Sequence, residues 1–335
     1  MNFKQLFNKT IRIILPLFLG CLLLWYLYQG QDWGEMMKVV KKGVRYDILL
    51  YSLVFGLGGN IFRGYRWGLL IDSLGERVKR KNVVLAVLGN YAINLVLPRI
   101  GEVWRCGVTS KYEKISFTKL LGTMLVDRVM DTLVVGLAAV IVFSFNFSFF
   151  SRYFSNNPEF VNGFSAMFSS VWMYVGLLLL VLTIWLFFKK WGHLAFVKKV
   201  KEAIQNIWEG IKCLWKLEHK ALFIFQTMMI WVCYFLYFYI AFYAFDFTSH
   251  LGVRIGLIAF IMSSIGVAVP VQGGIGVWHF MVISTLVSFG VSEVDAGAFA
   301  LVVYTIQTIW VIITGLVGVF ALPIVNRNKT IDDRK

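Results

Sequence analysis

The stretch Val83-Val84-Leu85-Ala86-Val87-Leu88-Gly89-Asn90-Tyr91-Ala92-Ile93-Asn94-Leu95-Val96-Leu97, running into Pro98-Arg99-Ile100-Gly101-Glu102, decides how this chain is read. It is apolar enough for a bilayer, yet it falls short of the roughly 20 residues that a helix needs to cross the hydrocarbon core. It carries Asn90 and Asn94 and stops on a proline and a glycine. A second run of the same kind spans 255–270 (IGLIAFIMSSIGVAVP), ends on Pro270, breaks at Val271-Gln272-Gly273-Gly274-Ile275-Gly276 and resumes apolar to about Val291. Broken backbone at membrane depth survives only where protein buries it or water reaches it. Both runs are therefore read as re-entrant helical hairpins, with ordinary short, tilted helices over 83–97 and 255–270 as the alternative.

Around these runs lie six segments long and apolar enough to span: 11–29, 46–71, 120–146, 169–188, 221–245 and 298–322. Of 335 residues, 59% are hydrophobic and 15% charged, and mean hydropathy is +0.72, whereas a soluble domain carries about 25% charged residues. Alternating short segments, the mark of a membrane β-barrel, are missing. The fold class read here is an all-α integral membrane protein. It is a polytopic helical bundle of about six full spans plus two re-entrant hairpins, forming a single membrane domain over 1–335. The N-terminal run follows Lys4, Lys9 and Arg12 and has no small-residue cleavage site, so it is read as a retained first span.

Positive charge orients the bundle. Residues 1–12 hold three bases and no acid, 76–81 four bases against Glu76, and 189–220 eight lysines against three glutamates. By contrast, 147–168 holds only Arg152 and Glu159, and 291–297 only acids. Both termini are thus expected in the cytoplasm of a bacterial inner (plasma) membrane, with 30–45, 147–168 and 291–297 outside. The order span, span, hairpin, span then recurs in 1–146 and 147–335. Three crossings per half make the second half inverted. Paired broken segments in inverted halves point to a transporter-like site near mid-depth.

The chemistry rests on charge within apolar sequence. Such residues are costly in a bilayer and normally face a partner inside the bundle. Arg63 and Arg66 share a face of the second span, although both lie near enough to its cytoplasmic end to snorkel instead. Asn94, Arg99, Glu102 and Arg105 crowd the first hairpin; Asp127, Arg128 and Asp131 follow in the next span. Five arginines against three acids suit a phosphate group, which the guanidinium fork binds through two bonds. The breaks themselves are assigned to Pro98 and Gly101 in the first hairpin and to Pro270, Gly273, Gly274 and Gly276 in the second. The four cysteines form no CxxC pair and the four histidines are scattered, so no metal, disulfide framework or cofactor is expected. The net charge of +15 lies mostly between apolar runs, where it faces anionic lipid rather than nucleic acid. Within 189–220, residues 196–217 read as an amphipathic helix on the cytoplasmic interface, anchored by Trp208 and Trp215.

Asn94 to Arg105, which reads N-x-x-x-P-x-x-GE-x-x-R, resembles the N-x-x-x-P-x-x-x-GE-x-x-R signature of the lysylphosphatidylglycerol synthase transmembrane-region family with one residue fewer after the proline, Gly101-Glu102 and Arg105 keeping their mutual spacing. Val126-Asp127-Arg128-Val129-Met130-Asp131 is similar to its E-R-x-x-D element, Arg63-Gly64-Tyr65-Arg66-Trp67 to its R-x-x-R-W stretch, and Gly273-Gly274-Ile275-Gly276-Val277 to its C-terminal glycine loop. The resemblance covers nearly the whole chain in order. It implies a flippase-like module that moves a phospholipid, aminoacyl-phospholipid or lipid-linked headgroup between leaflets. The expectation is a stand-alone member without the cytosolic aminoacyl-transferase domain, hence a non-enzyme. Asp127 stands for the usual glutamate, Gln272 for a proline, and Trp278-His279 for a common Arg-Glu pair. Two other readings fit the same residues. One is an intramembrane lipid-modifying enzyme with Glu102 or Asp131 as base. The other is a scaffold docking a separately encoded lipid-modifying enzyme through 189–220.

Overall fold

A computed structural model of the chain describes residues 33–96, 99–156, 212–215, 217–268 and 274–327, with a few isolated positions besides. Among them are eleven α-helices and no strand: α1 Trp33–Lys42, α2 Tyr46–Asp72, α3 Arg80–Val96, α4 Ile100–Glu113, α5 Phe117–Phe145, α6 Phe147–Asn156, α7 Lys220–Tyr239, α8 Asp246–Ser249, α9 Val253–Ala268, α10 Val277–Ser288 and α11 Glu293–Val325. The helices α5 and α11 are long and apolar enough to cross a membrane, as is α7 taken with the 3-10 turn Ile240–Ala244 that continues it. With 27 residues α2 has the length as well, but carries Arg63 and Arg66 within it. Their outer faces are apolar and exposed, with Leu133, Leu137 and Val140 on α5 and Ile313, Leu316 and Phe320 on α11. Faces of this kind are what a lipid solvent requires. The chain is an all-α membrane protein.

Local sequence explains the ends of α11. Ser292 accepts the Asp295 N–H at 3.1 Å and donates to its carboxylate at 2.7 Å, and Glu293 and Asp295 put negative charge on the first turn. Two short helices lie where the sequence reading had only loops. Met36 of α1 is buried beside Ala298 of α11, and Phe149, Phe150 and Tyr153 of α6 turn toward α9 and α10. Each is too short to register as a span. The span read at 221–245 is present as Lys220–Ala244, with the α-helix ending at Tyr239 and the chain tightening into the 3-10 turn. The expected spans 11–29 and 169–188, and most of 196–217, lie outside the described residues. Leu217, at the end of that connection, packs into the core around Trp67.

Each short apolar run is the first arm of a helical hairpin. In the first, α4 folds back along α3: Gly89 faces the Trp104 ring, the Gly101 N–H bonds Asn94 Oδ1 at 2.8 Å, and at the open end Asn82 donates to Glu113. In the second, Gly266 of α9 packs on Trp278 of α10, and the turn uses Gly274 and Gly276 at φ +76° and +83°, a region closed to most side chains.

The contacts repeat between the two halves. Antiparallel α2 and α7 pack at the centre, with Gly56 against Tyr237 and Gly59 against Tyr234. The last long helix of each half runs antiparallel to the first arm of the other half's hairpin, α11 along α3 and α5 along α9. The helix ends match too. Asn326, capping α11, donates to the Leu322 carbonyl at 2.9 Å and exchanges two hydrogen bonds with Asn82 at the open end of the first hairpin. Asn146, capping α5, donates to the Val142 carbonyl at 2.8 Å and accepts from Arg254 Nε at 2.5 Å at the start of the second. Both Asn82 and Asn326 are buried. Asn326→Ala is therefore expected to cost about 1–3 kcal/mol through the buried Asn82 Oδ1 that loses its donor, measured as a lower unfolding midpoint in detergent. Adding Asn82→Ala should cost less than the sum of the two single changes, because they share one interaction.

Candidate functional site

Three helices bring most of the expected residues together. Spacing of three to four residues puts Arg63, Arg66 and Trp67 on one face of α2, Glu102 and Arg105 on one face of α4, and Asp127, Arg128 and Asp131 on α5. Arg66 lies at the centre. Its Nη2 donates to Asp127 Oδ1 at 2.5 Å and Asp131 Oδ1 at 2.7 Å, its Nε to Asp127 Oδ1 at 3.1 Å, and its Nη1 to Thr227 Oγ1 at 3.4 Å. Arg63 donates to Asp131 and, through Nε, to the Tyr234 hydroxyl at 3.3 Å. Arg105 donates to Asp127 Oδ2 at 3.0 Å and lies 4.5 Å above the Trp67 ring.

Arg63, Arg66, Arg105 and Asp127 are 3%, 0%, 0% and 0% exposed. Arg63 and Arg66 thus do not snorkel outward; α5 supplies their counterions. Asp127 is ten residues into α5, roughly 15 Å along the helix axis at 1.5 Å per residue. A buried ion pair is no source of stability in itself, but breaking one leaves an uncompensated charge. These four residues form a closed knot.

Glu102, Arg128 and Asp131 form its open edge. Their side chains are 16%, 33% and 11% exposed. The Arg128 guanidinium makes two long ion pairs, Nε to Glu102 Oε1 at 3.8 Å and Nη1 to Asp131 Oδ2 at 3.7 Å. Among the described residues, its buried Nε and Nη2 find no hydrogen-bond acceptor. Nor do Nε and Nη1 of Arg105, and Oε2 of Glu102 finds no donor. Buried N–H groups of charged side chains are expensive to leave unmade.

Two expected groove residues lie apart. Asn94 holds the hairpin turn through Gly101, and Arg99 is exposed at the break in a left-handed conformation (φ +62°), outside the knot. Pro98, Pro270 and Gly273 lie outside the described residues. Gly101 lies so close to the Asn90 carbonyl that no larger residue fits. Four hydrogen-bonding participants among the described residues escaped the sequence reading: Thr227, which accepts from Arg66, and Tyr234, which donates to Asn60 Oδ1 at 2.7 Å and shares a hydrogen bond with Tyr91 at 3.2 Å. Asn60 sits three residues before Arg63 on the same helix face and could have been found by that spacing. Neither tyrosine carried a signal among so many aromatics. Among the described residues, the second hairpin carries His279 in place of such a charge cluster. His279 is buried, with Tyr304 4.6 Å away ring to ring and Tyr28 at 6.1 Å.

No solved structure matches the chain. A UPF0104 membrane protein of Methanocaldococcus jannaschii is 32% identical over 109 residues, which is 31% of this chain and 31% of that protein, so the match spans about a third of the relative. A far longer match comes from a family model described as the lysylphosphatidylglycerol synthase TM region, which aligns with residues 13–315 and so takes in both hairpins, the arginine-bearing α2 and the two aspartates of α5. On that match, the chain belongs to the lysylphosphatidylglycerol synthase TM region family.

Proposed function

We propose that the protein is a lipid flippase that carries an anionic headgroup, of a phospholipid or of a lipid-linked glycan, between the leaflets. The headgroup passes along the open edge of the charge knot while its acyl chains stay in the bilayer. The observation that carries this reading is a buried arginine excess at the broken first hairpin, with N–H groups of Arg105 and Arg128 unspent. The N-terminus of α4 opens at the same place and adds its own positive dipole end. In this reading both hairpins are re-entrant and enter from opposite sides of a bacterial inner membrane, with both chain termini cytoplasmic. The chain performs no chemical step of its own; a separately encoded enzyme makes or uses the lipid.

Proteoliposomes test it. Fluorescently labelled phosphatidylglycerol should become accessible to an external quencher faster in the presence of the protein. Arg128→Gln should slow this by about tenfold or more, the loss of one charged hydrogen-bonding group being worth roughly 1.5–3 kcal/mol. Reconstituted protein that moves neither phospholipids nor polyprenyl-phosphate lipids would overturn the reading. A chemically altered lipid in the same vesicles would favour an enzyme instead.

A further inference from the structure

Four arginines (Arg63, Arg66, Arg105, Arg128) face three carboxylates (Asp127, Asp131, Glu102), which leaves one positive charge over. The three carboxylates are not equivalent. Both aspartates accept short hydrogen bonds from at least two donors, whereas among the described residues Glu102 reaches only Arg128, at 3.8 Å, with its second oxygen buried and unbonded. Glu102 stands in the first turn of α4, at the hairpin break, opposite two unspent N–H groups of Arg128. A carboxylate held so loosely beside donors so poorly used occupies a place that a better acceptor would fill.

Building on the headgroup reading above, we infer that Glu102 is a displaceable counterion sitting at the rim of a phosphate seat formed by Arg128 at the open edge, and that it sets the seat's charge preference to one. A phosphodiester brings a single negative charge and matches the surplus. A phosphomonoester, whose second ionisation falls near pH 6, brings up to two, and the second meets the Glu102 carboxylate as a like charge. The seat therefore selects singly charged phosphodiesters over phosphomonoesters, and Glu102 is the residue that enforces the selection.

The experiment is a binding measurement, independent of transport. The purified full-length protein in detergent is titrated with an equimolar mixture of phosphatidylglycerol and phosphatidic acid of identical acyl chains, and the bound ratio is read by native mass spectrometry. Wild type is expected to retain phosphatidylglycerol in preference by about tenfold, a modest fraction of the repulsion between two charges at this distance. Glu102→Gln, which raises the surplus to two, should erase or invert that ratio. Because the ratio is internal to one preparation, loss of folded protein does not affect it. Arg128→Gln provides an independent arm, in which retention of both lipids should fall by about tenfold or more. Glycerophosphoglycerol, the same headgroup without acyl chains, should fail to compete at matched concentration. An unchanged ratio in Glu102→Gln, or undiminished retention in Arg128→Gln, would overturn the inference, and equal competition by the soluble diester would overturn its lipid source. A protein that shows the ratio change but moves no lipid sinks the transport reading alone. One that moves lipid with no ratio change sinks this inference alone.

Discussion

Asp127→Asn is expected to leave little folded protein after detergent extraction. Asp127 takes Arg66 on one carboxylate oxygen and Arg105 on the other, with Arg63 at 3.8 Å. Asparagine keeps the volume and removes the charge, so three buried guanidinium groups lose their shared anion. Breaking a buried pair this way costs about 3–5 kcal/mol, against total stabilities of about 5–15 kcal/mol. Asp127→Glu keeps the charge, suffers only the strain of one added methylene, about 1–3 kcal/mol, and should give a larger monodisperse fraction by size exclusion. Equal behaviour of the two variants would mean that shape, rather than charge, is what the site requires.

Gly318→Val should be comparably damaging for a reason unrelated to charge. The helices α11 and α3 touch backbone to backbone: a Cβ on Gly318 would lie 2.5 Å from the Leu85 carbonyl oxygen and 2.6 Å from the Gly89 nitrogen. Neither atom can rotate away, so the helices must part, and small residues at such crossings are what lets membrane helices associate. Separating them also pulls Asn326 from Asn82 and opens the first hairpin. A loss of roughly 3 kcal/mol or more is expected, seen as a fall in the unfolding midpoint and in any lipid movement. Gly136→Ala on α5, where a Cβ meets nothing within 4 Å, is the control and should cost nothing, with a gain of up to about 0.5–1 kcal/mol from helix propensity. If the two glycines behaved alike, the α3–α11 crossing would not be the tight contact described.

Much of this was legible in the chain itself. Length and hydropathy located α2, α5, α7 and α11 to within a few residues at most ends, because a bilayer leaves few alternatives. The hairpin runs 83–97 and 255–270 were readable because they were too short and then broke. Spacing placed Arg63 with Arg66 and Asp127 with Asp131, since i, i+3 and i, i+4 residues share a helix face. Which of these closed on each other was not legible. That depends on how near α2 comes to α5, which the small residues of α2 and its contacts with α3 and α7 decide. Arg99 illustrates the same limit. It sits in the motif beside Glu102, yet a left-handed backbone turns it outward. Short helices such as α1 and α6 escape any test based on the thickness of a membrane.

The two capping asparagines bear on how the molecule is made. Asn82 awaits a partner 244 positions downstream, and Arg254 one that was synthesised 108 positions earlier. A chain made through residue 146 therefore holds a hairpin whose mouth has the Asn82–Glu113 bond but not yet the Asn82–Asn326 pair, which forms only when the final helix is in place. Maturation thus becomes a late, all-at-once event. Splitting the coding sequence at the midpoint would yield two pieces that reach their native state only when expressed together.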